Sequence, residues 1–118
     1  MSEIILIRGP LGVGKTTISK ELAKQLNASY FSVDGILEEL QLDKTDGDGI
    51  PVKNFISAQE HILPLIKVAM DNGKGVIIDG NFYHKEQLDY FAKKFGEKLH
   101  VYTLHAPIEA CIERDHNR

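Results

Sequence analysis

Cysteine is nearly absent: Cys111 stands alone among 118 residues. One thiol excludes an intramolecular disulfide framework and any zinc site built on several thiolates. Long apolar runs are also missing. The longest stretches are four or five residues, against about 20 for a membrane span. Met1-Ser2-Glu3 leads directly into Ile4-Ile5-Leu6-Ile7, without a basic leader or a small-residue cleavage site. A signal peptide is therefore not expected, and a cytoplasmic chain with no membrane partner is. There is no excess of positive charge, since 14 basic side chains face 17 acidic ones for a net charge of −3. General attraction to nucleic acid or anionic membrane is excluded, and a local basic site is not. With 42% hydrophobic residues, the length suits one domain over residues 1–118 with one core.

Apolar periodicity divides the chain into alternating strands and helices. Ile4 to Ile7 is a continuous apolar run ending at Arg8 and Gly9, as expected of a strand buried on both faces. From Thr17 to Asn27, Ile18, Leu22, Ala23 and Leu26 recur at helical spacing. Tyr30, Phe31 and Val33 predict a second strand ending at Asp34-Gly35. Ile36, Leu37 and Leu40 predict a short helix after it. A further helix is expected over 54–72, kinked or divided at Pro64. Val76-Ile77-Ile78 predicts a third strand ending at Asp79-Gly80. Leu88, Phe91 and Phe95 mark a helix, Leu99 to Leu104 a fourth strand, and Pro107 opens a last helix carrying Ile108, Cys111 and Ile112. Four such alternations predict an α/β layered fold with a parallel sheet and right-handed crossovers. Because the chain stops within that last helix, a longer parent protein is expected.

Two apparent metal signals fail. Asp46-Gly47-Asp48-Gly49 has the look of a calcium loop, but in that register position twelve is Phe55, where a bidentate glutamate is needed. His61, His84, His100, His105 and His116 are scattered, without zinc-ligand spacing.

The segment Gly9-Pro10-Leu11-Gly12-Val13-Gly14-Lys15-Thr16 is the strongest signal. It matches Gly, four residues, Gly, Lys, Ser/Thr, a match that chance gives in roughly one chain in two hundred of this composition. Glycines after a strand let consecutive backbone N–H groups turn inward around an anion. The helix that follows, with Thr17 in its first turn, turns its N-terminus to the same anion. Lys15 can reach the β- and γ-phosphates, and the Thr16 hydroxyl can bind Mg²⁺. Asp79 sits at the carboxyl end of a buried strand, where ligands bind in open α/β sheets. There it can hold Mg²⁺ beside Thr16, or simply make a turn with Gly80. Asp34 occupies the matching place after strand two, as a general base or as a helix N-cap. Arg114 and Arg118 share a helix face, suited equally to phosphate oxygens and to surface ion pairs.

Taken together, Gly9–Thr17, Ser32–Asp34, Val76–Asn81 and Ala106–Arg118 resemble the P-loop kinases that phosphorylate small molecules. That group includes shikimate and gluconate kinases, chloramphenicol phosphotransferase, nucleoside monophosphate kinases and the 5′-kinase half of polynucleotide kinase. The resemblance implies a three-layer P-loop fold with sheet order 2-3-1-4, its fifth strand and most of its lid lying beyond this sequence. It implies ATP with Mg²⁺ as donor and a small-molecule acceptor. By the same resemblance Asp34 is base or acceptor anchor, Asn81 contacts the acceptor, and Arg114 and Arg118 belong to the lid. Ser32 stands where shikimate-kinase-like members carry a first aspartate. Two other functions compete. A nucleotide switch would need a guanine-reading Asn-Lys-x-Asp segment or a glycine at position 82; the first is missing and position 82 is Phe82. A kinase of nucleic-acid 5′ ends is disfavoured by the acidic balance.

Overall fold

The computed structural model describes residues 3–9, 14–44 and 49–104. The chain runs β1 (Ile4–Arg8), α1 (Lys15–Leu26), β2 (Ser29–Ser32), α2 (Val33–Glu39), α3 (Val52–Asp71), β3 (Val76–Gly80), α4 (Lys85–Phe95), a 3₁₀ turn (Gly96–Lys98) and β4 (Leu99–Thr103). The four strands form one parallel sheet in the order β2-β3-β1-β4. Both the α/β layering and the strand order expected from the sequence are present.

Side-chain alternation divides the strands between two layers. Ile4, Leu6, Val76 and Ile78 point to one face, where α2, α3 and α4 add Leu37, Phe55, Ile62, Ile66 and Phe91 to the larger core. Ile7 and Ile77 point to the other, against Ala23 of α1. Because β1 and β3 are sandwiched between helices, their apolar runs are continuous. β4 is an edge strand and leaves Val101 and Tyr102 exposed.

Three local expectations are corrected. The first concerns Val33, which opens α2 rather than closing β2. The Ser32 hydroxyl accepts the Gly35 N–H at 3.0 Å and starts the helix three residues early. Asp34 therefore lies in the first turn of α2, and the cap is Ser32, not Asp34.

The second concerns α1, which packs through Lys15, Ser19 and Ala23, spaced by four. Ile18 and Leu26 remain exposed. Small residues on the contact line let the helix axis lie close to the sheet, and the bulkier apolar residues fall to its flank.

The third concerns α3, a single 20-residue helix despite Pro64. Pro64 and Glu60, whose carbonyl loses its ladder partner, both lie on the exposed side. Water can satisfy that carbonyl, so the helix continues.

No described helix is long and apolar enough to cross a membrane. The segment 105–118, with the expected last helix, lies outside the described residues.

Candidate active site

Every described candidate residue lies at the carboxyl end of the sheet. Gly9 follows β1, and Gly14 is the N-cap of α1 with φ 82°. A Cβ at Gly14 would meet nothing within 4 Å, so glycine is required there by the left-handed backbone and not by space. The first intrahelical bond runs from Ile18 N–H to Gly14 O at 3.0 Å. The N–H groups of Lys15, Thr16 and Thr17 precede it and have no partner within the helix. No acidic residue occupies this first turn and no side chain caps it. An anion is what such a terminus accepts best. Pro10, Leu11, Gly12 and Val13, the middle of the expected phosphate loop, lie outside the described residues.

Lys15 is only 8% exposed. A buried ammonium needs a compensating negative charge, and Asp34 supplies attraction to it across the site. The backbone N–H of Asn81 also favours the ionised form of the Asp34 carboxylate. Burial raises its pKa above the usual aspartate range, against the pull of Lys15; the nearby Asp79 charge raises it further, and the Asn81 N–H opposes. Asp34, Lys15, Asp79 and Asn81, drawn from three parts of the sequence, thus share one electrostatic environment.

Asp79 is 2% exposed and pairs in register with Ile7 of β1 and Ser32 of β2. Its Oδ2 accepts a hydrogen bond from the Tyr30 hydroxyl at 2.5 Å. Tyr30 was read in the sequence only as a strand residue. Its hydroxyl also lies within hydrogen-bonding reach of the Thr16 and Ser32 side chains. Burial, then the Asp79 carboxylate, pushes its pKa above the ordinary tyrosine range. One signal was available in the sequence: Tyr30, Ser32, Ile77 and Asp79 share a face once β2 and β3 are neighbours.

The turn after β3 is tightly built. Phe82 adopts φ 53°, unusual for a bulky side chain, and is 1% exposed. Its ring folds back over Gly80, where a Cβ would lie 2.9 Å from Phe82 Cε2 and 3.3 Å from Val33 Cβ. Phe91 holds the ring from the other side, with centroids 6.3 Å apart. Gly80→Ala is expected to destabilise the fold by about 1–3 kcal/mol through overpacking, as read by urea denaturation. Asn81 Oδ1 is buried without a hydrogen-bond partner. The residue lines a cleft of about 290 Å³ with Arg8, Gly9, Tyr83 and Thr103.

The donor set suits Mg²⁺. Among the described residues no group of three or more His, Cys, Asp or Glu could cage a metal alone. Mg²⁺ is commonly held by one or two protein oxygens together with substrate phosphates and water. Thr16 and Asp79, brought together at the Tyr30 hydroxyl, supply such oxygens. Arg114 and Arg118 lie outside the described residues.

A family model described as AAA domain matches residues 4–118. The chain belongs to this family. Shikimate kinase from Actinobacillus succinogenes is 46% identical over 35 residues, which is 30% of this chain and 20% of that protein. The crystal structure of a sugar kinase from Janibacter sp. HTCC2649 superposes with a TM-score of 0.78, covering 100% of this chain and 68% of that one at 19% identity. Shikimate kinase from Acinetobacter baumannii, in complex with shikimate, gives a TM-score of 0.64 at 22% identity, covering 100% and 66%. These superpositions show the shared fold, and the chain aligns with about a fifth of the length of the first of these relatives.

Proposed function

We propose that this AAA domain is an ATP-dependent phosphotransferase, moving the γ-phosphoryl group to a hydroxyl or phosphate of a small acceptor. The observation that carries the reading is buried Lys15 opening α1 after the left-handed Gly14, with the charge of Asp34 close enough to be felt there. A nucleotide-binding domain needs the lysine and the helix terminus. A carboxylate whose pKa is raised, facing that lysine from another strand end, is what an acceptor requires.

The amides of Lys15, Thr16 and Thr17 bind phosphate oxygens, and the Lys15 ammonium neutralises charge on the β- and γ-phosphates. Thr16 and Asp79 hold Mg²⁺, which when bound neutralises phosphate charge and orients the phosphates. Asp34 accepts the acceptor's hydroxyl proton as its oxygen bonds to the γ-phosphorus. The bond from that phosphorus to the β-phosphate oxygen breaks, and ADP leaves. The Asn81 N–H fixes the Asp34 carboxylate, and its side chain contacts the acceptor. Arg114 and Arg118 are assigned to the lid over the transferring group. Most of the catalysis comes from position and fixed charge.

The test is ATP consumption with panels of sugars, nucleosides, antibiotics and 5′-hydroxyl oligonucleotides. Stimulation by one small-molecule class is expected. Hydrolysis indifferent to every acceptor would support a nucleotide switch instead, and stimulation by oligonucleotides alone would support a polynucleotide kinase.

The pH profile follows from Asp34. A base must be ionised, and a raised pKa keeps it protonated to higher pH. Activity therefore falls as pH drops through a midpoint above the ordinary aspartate value of about 3.9. This acid limb should appear in kcat/KM, which reports the free enzyme.

A further inference from the structure

We infer that Tyr30 is a positioning residue for the metal-binding carboxylate: its hydroxyl fixes Asp79 and couples it to Thr16. The inference rests on the kinase reading above, because it assigns Thr16 and Asp79 to Mg²⁺.

Three observations converge on this hydroxyl. It donates to Asp79 Oδ2 at 2.5 Å. It lies within hydrogen-bonding reach of the Thr16 and Ser32 side chains. Its ring is placed by β2, directly beside β3, in register with Ile77, two residues before Asp79. Tyr30 thereby holds the carboxylate at the end of β3 by a direct bond and places its hydroxyl near Thr16 in the first turn of α1. These two elements meet nowhere in the sequence, yet they must present their oxygens to one ion.

An ionised carboxylate has two oxygens and about four acceptor sites. The Tyr30 bond occupies one oxygen and leaves the other for a metal or a metal-bound water. It also removes a rotational freedom of a group that would otherwise have to be ordered when the ion binds. Partners of this kind are worth about 10–100-fold in metal affinity at other sites. Lys20 Nζ lies 5.9 Å from the Tyr30 ring centroid, so a phenylalanine ring keeps that contact. Tyr30→Phe therefore removes the hydroxyl and little else.

The experiment measures nucleotide binding by calorimetry at a series of Mg²⁺ concentrations, for the native chain, Tyr30→Phe, Asp79→Asn and the double variant. Circular dichroism checks that each is folded. Tyr30→Phe is expected to raise the half-saturating Mg²⁺ concentration about 10-fold, with metal-free nucleotide affinity unchanged. In the Asp79→Asn background the same substitution should change the Mg²⁺ requirement less than twofold, because Tyr30 acts through Asp79. An unchanged or lowered Mg²⁺ requirement in folded Tyr30→Phe would overturn the assignment. So would an equal effect in the absence of the Asp79 carboxylate, which would show Tyr30 acting on the fold or on Thr16 alone. Failure of the native chain to bind Mg²⁺ and nucleotide would instead remove the kinase reading beneath it.

Discussion

Lys15→Ala is expected to lower phosphoryl transfer by about 10²–10³-fold, the effect of removing one preorganised donor from a charge-stabilising site. The reason is local. Lys15 begins α1 directly after a glycine in the left-handed region, so its position is fixed at the N-terminus of that helix. It is buried, and its charge acts on Asp34. Two consequences should separate it from a surface lysine. Nucleotide affinity should fall together with turnover. The acid limb of kcat/KM should also move upward, because Lys15 is the charge that favours the ionised form of Asp34. Steady-state kinetics across pH on the purified variant reads both. A rate loss without movement of the limb would sever Lys15 from Asp34.

The second large effect belongs to Asp34→Asn. Transfer should fall about 10²–10⁴-fold, as for loss of a general base. Binding of Mg·ATP should stay close to native, since Asp34 faces the acceptor side. The fold should become more stable at neutral pH. The sign follows from linkage. A carboxyl whose folded pKa is raised loses stability as pH rises from its unfolded to its folded value. Asparagine keeps the shape of Asp34 without the charge that burial disfavours. A raised melting midpoint is expected by calorimetry. Lost activity with gained stability is the signature of a residue retained for chemistry. Full turnover by Asp34→Asn would remove its assignment as base.

Much of the architecture was legible because two strong local signals agree. The apolar runs at Ile4–Ile7 and Val76–Ile78 require burial on both faces, and a parallel sheet between helix layers is what satisfies them. The glycine-lysine-threonine segment then fixes which end of the sheet carries the site. The errors arose where a local rule met a competing one. Val33 reads as a strand residue by type, but the Ser32 cap draws it into α2. Ile18 and Leu26 follow helical spacing, yet close approach of α1 to the sheet selects Ser19 and Ala23. Pro64 breaks a ladder bond, but on an exposed face where the freed carbonyl is open to solvent.

The site divides the same way. Lys15, Asp34 and Asp79 could be named from strand ends, because the sheet brings such ends together. Asn81 combines two features no motif states: its backbone N–H favours the Asp34 carboxylate, and the residue lines the cleft beside β1. Tyr30 was hidden because its role depends on the register of β2 against β3, which no single segment encodes.

The central claim is that the turn from Gly9 to Thr16 binds a polyphosphate. Titrating ATP with Mg²⁺ into the folded chain by isothermal calorimetry, beside Lys15→Ala, tests it most directly. Saturable one-to-one heat is predicted, weakened about 10-fold or more in the variant. No heat from the native chain, or the same isotherm from both proteins, would contradict it.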